Sequence, residues 1–126
     1  MRMKQKATIE AKRHIRQTRV RMRLSGTAAR PRLNVFRSLR GIYVQLIDDA
    51  KGKTLLSLHS KTADLAGFDT EGRAGKLAVA YALGQAIAKK AKDMNITSVV
   101  FDRAGYRYHG RVQAVAEGAR AGGLEF

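Results

Sequence analysis

Alternating hydrophobic and polar residues in the middle of the chain predict three short strands. Leu33 and Val35 alternate with Asn34 and Phe36, which is the two-residue period of a strand whose two faces differ in character. The same alternation recurs twice, and each segment ends at a short polar or Gly-containing turn. Three strands on short turns form an antiparallel meander. The expected strands span residues 33–38, 42–48 and 55–59, with turns at 39–41 and 49–52.

The second half of the chain predicts two helices around one more strand. After a polar loop over 60–72, spacings of three and four residues define a helix over about 73–94, whose apolar stripe is Leu77, Tyr81, Gly84, Ala88 and Ala91. The small residues of this stripe suit close packing on a sheet. A wholly apolar run, Ser98–Phe101, predicts a strand buried on both faces and parallel to a neighbour, because it follows a helical crossover. The last helix is expected over about 111–121, with Val112, Val115, Ala116 and Ala119 on its buried face.

Together these elements predict an α/β fold: a mixed four-stranded sheet, made of the meander plus one parallel strand, with two packed helices. Basic residues then divide the chain into two parts. The first 32 residues hold eleven Lys and Arg and a single acid, Glu10, hence +10 of the net charge of +15. We therefore expect a basic N-terminal arm over 1–29, helical over about 5–23 or disordered until bound, and an α/β RNA-binding body over 30–126.

A segregated, Arg-rich arm predicts a polyanionic partner. Each neutralised phosphate releases a condensed counterion, and Arg binds phosphate oxygens bidentately and stacks on bases. A solvated tail that only aids solubility is the alternative interpretation. The basic residues of the arm expected to contact RNA are Lys12, Arg13, Arg16, Arg19, Arg21, Arg23, Arg30 and Arg32.

A second candidate contact surface is the face of the meander opposite the helices. Phe36 and Tyr43 lie there among amides and hydroxyls, a composition suited to stacking bases. Packing of these two aromatics as a cross-strand pair under the arm or a loop is the alternative. The remaining members of this face are Asn34, Ser38, Gln45, Ser57 and His59, with Arg37 and Arg40 at its rim.

The loop over 102–111 is the third candidate. It follows the carboxyl end of the predicted parallel strand, where open α/β sheets place ligands. Gly110 leaves the first N–H groups of the last helix open to an anion. Packing of Tyr108 and His109 against the body is the alternative. The other contact residues expected here are Arg103, Tyr106, Arg107 and Arg111.

Several classes of function are disfavoured. Without cysteine, the chain has no thiolate metal site or cysteine nucleophile, and its three histidines lie far apart in sequence. No phosphate-loop or nucleophile-elbow motif occurs, so we expect no enzyme, cofactor, metal or small-molecule substrate. No apolar run is long enough for a membrane span. A DNA-binding architectural protein remains an alternative, as does a metal-dependent nuclease using Asp48, Asp49 and Asp102.

Three blocks of sequence resemble one known family in the right order. These blocks are Arg30–Ser38 followed by Ile42–Asp49, then Val100–Val112, then Glu117–Phe126, and they resemble bacterial large-subunit ribosomal protein eighteen. The resemblance implies a structural protein of the cytoplasmic ribosome. It also implies binding to 5S rRNA, attachment of that RNA to large-subunit rRNA in the central protuberance, and neighbouring 5S-binding ribosomal proteins. The positions it implies for RNA contact are Arg19 to Arg32, Asn34, Arg37, Ser38, Tyr43, Gln45 and Tyr106 to Arg111.

Overall fold

The computed structural model describes residues 25–38 and 41–126. The predicted arm helix, the basic residues from Lys12 to Arg23, and Arg40 lie outside these residues. The described part of the chain forms four strands and two helices. Their bounds are Arg32–Arg37 (β1), Ile42–Asp48 (β2), Lys53–His59 (β3), Gly75–Asp93 (α1), Val100–Asp102 (β4) and Gly110–Ala121 (α2).

The strands form one mixed sheet in the order β3-β2-β1-β4. β1 pairs antiparallel with β2, with Val35 opposite Val44, and β2 pairs antiparallel with β3. β4 joins the other side of β1 in parallel, with Leu33 opposite Phe101. The predicted meander and its additional parallel strand are thus confirmed, and β1 lies inside the sheet.

The alternation within β1 and β2 gives the sheet one covered face and one open face. Leu33, Val35, Val44 and Leu46 are fully buried because their side chains point toward the two helices. The residues between them, such as Asn34 and Gln45, point to the opposite face, where they are only partly buried. The polar and aromatic face therefore stays accessible, as the sequence predicts.

The two helices pack closely on each other at two glycines. A Cβ atom on Gly84 would lie 2.2 Å from the carbonyl oxygen of Val115, and one on Gly118 would lie 2.1 Å from that of Tyr81. The small residues of α1 therefore serve its contact with α2, whereas the sequence suggested the sheet. Leu77 was predicted on the buried stripe, but it is 43% exposed. It lies one turn before Tyr81, where the close contact between α1 and α2 begins.

β4 differs from the predicted strand in its burial. Val100 and Phe101 are half-buried instead of buried on both faces, because β4 is an edge strand with a neighbour on one side only. Ser98 precedes β4 and forms an isolated parallel bridge with Glu125. Neither described helix is long and apolar enough to cross a membrane.

Candidate nucleic-acid interface

The open face of the sheet carries two cross-strand rows of side chains. Phe36 lies opposite Tyr43, and Tyr43 lies opposite His59 with its ring centroid 6.2 Å from the imidazole. The neighbouring row is polar, with Asn34 opposite Gln45 and Gln45 opposite Ser57. We call these six residues the open-face platform. Phe36 is 49% exposed, so at least one aromatic ring of the platform is accessible to a base.

Tyr106 connects the loop after β4 to this platform. Its hydroxyl donates a hydrogen bond to the Arg37 carbonyl oxygen at 3.1 Å, and its ring meets that of Phe36 edge-on at 6.5 Å. The Arg37 guanidinium lies 5.0 Å from the centroid of the Tyr106 ring, a cation–π contact. Tyr106 is only 5% exposed. It therefore positions Phe36 and Arg37 more than it offers a surface of its own.

A tight left-handed turn then directs the rest of the loop outward. Ala104 and Gly105 have φ angles of 55° and 78°, and the Ala104 N–H donates to Asp102 Oδ1 at 2.8 Å. Beyond the turn, Arg107, Tyr108 and His109 are exposed, and so is Arg103 before it. The residues that sequence reasoning assigned to RNA contact are thus mostly accessible in this loop.

Arg111 and Tyr108 attach the end of the loop to the body. Arg111 Nη1 donates to the Ser38 carbonyl oxygen at 3.2 Å. The Tyr108 ring meets Phe101 edge-on at 6.1 Å, yet Tyr108 remains 40% exposed, so packing and accessibility coexist there. Gly110 opens α2 with φ 57°, and His109 at the cap makes no side-chain capping hydrogen bond. The start of α2 therefore stays compatible with an anion.

Arg32 belongs to a buried ion cluster. Its Nη1 lies 2.7 Å from Asp102 Oδ2, and its Nε lies 2.9 Å from Asp49 Oδ2. The hydrogen bonds of Asp49 raise the pKa of Arg32, with a further contribution from Asp102 and against the opposing effect of burial. The side chain is only 4% exposed. This corrects the placement of Arg32 among the RNA-facing side chains and confirms Asp102 as a salt-bridge partner.

The other carboxylates considered as metal ligands also have structural roles. Asp48 is buried, and its Oδ1 accepts hydrogen bonds from the Ala50 and Lys51 N–H groups, which closes the turn after β2. Residues 25–38 and 41–126 hold no group of three or more His, Cys, Asp or Glu side chains that could bind a metal ion. No geometry there favours the nuclease alternative.

The accessible cations lie apart from these carboxylates. Throughout the described residues, the only cations in salt bridges are Arg32 and Arg73. Arg30 is exposed at the start of β1, where its Nε lies 3.4 Å from the Val99 carbonyl oxygen. The cations of the platform edge and of the 103–111 loop that have no described carboxylate within 4.0 Å are Arg37, Arg103, Arg107 and Arg111. These guanidinium groups are available to phosphate.

Sequence reasoning missed one cation beside the platform. Lys61 is exposed two residues after His59, and its backbone N–H donates to His59 Nδ1 at 3.0 Å. Sequence analysis placed Lys61 in the polar loop. Its position two residues after the third strand is the signal that would have identified it.

Comparison with known proteins gives consistent matches over the chain. Residues 6–126 match the family model described as ribosomal L18 of archaea, bacteria, mitochondria and chloroplast. Large ribosomal subunit protein uL18 of Pelotomaculum thermopropionicum is 55% identical over 124 residues, covering 98% of this chain and all of that protein. The uL18 protein of Staphylococcus haemolyticus is 53% identical over 121 residues, covering 96% of this chain and 95% of that protein. The uL18 protein of Herpetosiphon aurantiacus is 55% identical over 118 residues, covering 94% of this chain and 93% of that protein.

Proposed function

Since the chain belongs to the ribosomal L18 family, we propose that it binds 5S rRNA through its arm, its platform and its 103–111 loop, and helps attach that RNA to the large-subunit rRNA. The family makes it a structural, non-enzymatic constituent of the large ribosomal subunit. The finer assignment to 5S rRNA rests on the chemistry of the surface.

The observation that carries the proposal is the junction at Tyr106. Its contacts with Phe36 and Arg37 join the loop after β4 to the end of β1, so that two sequence-distant segments form one continuous surface. Exposed aromatic area thereby lies beside guanidinium groups that have no carboxylate partner in the described structure. Stacking surface next to phosphate-binding cations is the arrangement by which proteins hold unpaired and irregular RNA.

The three parts contribute differently to binding. The arm supplies affinity through phosphate neutralisation. Phe36 and Tyr43 stack bases, while Asn34 and Gln45 offer amide groups to base or sugar edges. The folded body holds these groups in register. Contacts with large-subunit rRNA and with neighbouring ribosomal proteins complete the attachment of the 5S particle.

Filter binding of the full-length chain to a 5S rRNA transcript across a salt series tests the proposal. Each Arg-to-Gln substitution at Arg37 or Arg107 removes one phosphate contact, so the slope of log K against log salt falls by about 0.7–0.9. Tyr108→Ala and Arg111→Ala weaken binding while the circular dichroism spectrum stays unchanged. Lys90→Gln, which removes an exposed charge from the far end of α1, is the matched control and keeps the original slope.

Three results would contradict the proposal in whole or in part. A wild-type chain that ignores the 5S transcript at low ionic strength excludes the assigned RNA. Equal competition by duplex DNA would favour the DNA-binding alternative instead. Unchanged affinity and slope in the loop variants would remove the 103–111 loop from the binding surface.

A further inference from the structure

A cleft of about 460 Å³ lies where the sheet meets the beginnings of both helices. Gly41 and Ile42 at the start of β2 form one wall with Ser60. Gly75, Lys76 and Val79 of α1 form another wall, and Lys61 and Arg111 complete the lining. We call this space the β2–α1 cleft. Its volume falls within the range of about 300–1,000 Å³ that is typical of pockets for small ligands.

The wall formed by Gly41, Ile42 and Ser60 is held by two hydrogen bonds. The Ile42 N–H donates to Ser60 Oγ at 3.0 Å, and the Ser60 N–H donates to the Ile42 carbonyl oxygen at 2.9 Å. A Cβ atom on Gly41 would lie 2.7 Å from Ser60 Oγ, so only glycine permits this close approach. The cleft is therefore a preformed feature of the fold.

The lining combines apolar surface with positive charge. Val79, which is 42% exposed, gives the accessible apolar wall, whereas the side chain of Ile42 is buried in the core. Three cations line the cleft, Lys61, Lys76 and Arg111, and no carboxylate does among its described lining residues. Cations around an apolar space match a ligand with a flat apolar part and a flanking negative charge.

We propose that the β2–α1 cleft receives one unpaired nucleotide of the RNA bound on the platform, with its base against Val79 and its phosphates near Lys61, Lys76 and Arg111. This inference rests on the proposed function. Arg111 makes the two sites contiguous, because it lines the cleft and also donates to the Ser38 carbonyl oxygen beside the platform. A single RNA strand that passes Arg111 therefore reaches both sites.

Blocking the cleft tests this assignment in the full-length chain. Val79→Phe fills the space, and Leu77→Phe makes a comparable enlargement of a similarly exposed α1 residue outside the cleft lining. Wild-type protein protects one unpaired base of the 5S transcript from base-specific chemical modification. Val79→Phe restores the reactivity of that base and weakens binding at least about fivefold, as expected when one stacked base is lost. Leu77→Phe keeps both the protection and the affinity.

A charge variant provides an independent readout. Lys76→Gln flattens the salt slope by about 0.7, the value for one phosphate of a single strand, whereas Lys90→Gln on the same helix leaves it unchanged. If no base changes reactivity in Val79→Phe, or if Leu77→Phe has the same effect, the cleft is not a nucleotide site. That result leaves the proposed function intact when wild-type protein binds the transcript. Failure of the wild-type chain to bind refutes both.

Discussion

Replacement of Arg32 by Gln is expected to destabilise the fold without a matching loss of RNA affinity. The substitution leaves Asp102, which is fully buried, without its cation, while Asp49 at 24% exposed regains hydration. Removing one partner of a buried ion pair costs about 3–5 kcal/mol. Because the Gln amide still donates one hydrogen bond, we expect a loss near the lower limit, about 3 kcal/mol. Single domains have a free energy of unfolding of about 5–15 kcal/mol, so the variant remains folded but weakened.

Equilibrium unfolding in urea, followed by circular dichroism, measures this loss. With a slope of about 1–3 kcal/mol per molar urea, the midpoint falls by about 1–3 M. Arg37→Gln is the matched control, because Arg37 is exposed and the substitution removes a cation–π contact of its guanidinium worth about 1 kcal/mol or less, while its backbone hydrogen bond with Tyr106 is kept. We expect that control to unfold near the wild-type midpoint and to bind the 5S transcript more weakly.

Either of two results would contradict the prediction for Arg32→Gln. An Arg32→Gln chain that unfolds at the wild-type urea concentration would mean that the ion cluster contributes little to stability. An Arg32→Gln chain that stays folded but loses more RNA affinity than Arg37→Gln would return Arg32 to the RNA-facing side chains.

Two further predictions concern the arm and the helix crossing. Deleting residues 1–24 leaves a body that unfolds cooperatively but binds the 5S transcript more weakly and with a flatter salt dependence. The deletion stops there because the Gly26 N–H donates to Asp49 Oδ2 at 2.7 Å. An unfolded truncation, or an unchanged slope, would contradict the role of the arm. Gly118→Ala forces the helices apart and lowers stability by about 1–3 kcal/mol in thermal denaturation, whereas an unaltered melting temperature would exclude a tight crossing.

Periodicity predicted correctly which face of a strand or helix is buried where a neighbouring layer covers that whole face. Val35 and Val44 are buried because a two-residue period assigns every second side chain to the helix-covered face. Val112 and Val115 are buried for the equivalent reason on α2. The same period assigned Leu77 to the buried stripe of α1, yet its side chain is exposed. Periodicity gives the direction in which side chains point, but it does not show where along the helix the packing partner ends.

Long-range partners were beyond sequence reasoning at two positions. Arg32 resembles its basic neighbours in the sequence, and its burial depends on carboxylates 17 and 70 positions away. Tyr106 lies in an Arg-rich loop, but its hydroxyl bonds to a carbonyl group 69 positions away. Composition predicted a kind of surface, whereas the partners of individual side chains required the sheet order.

The interior position of β1 has a consequence for how the protein is made. β1 is among the first strands to be synthesised, yet β4 flanks it only after residues 100–102 have been added, and the C-terminal segment seals that region through the Ser98–Glu125 bridge. Contacts of such long sequence separation form slowly, because the intervening chain must first be closed into a loop. A nascent chain therefore exposes one edge of β1 throughout most of translation. Completion of the sheet is consequently a late event, and until then the unpaired edge of β1 requires protection from aggregation.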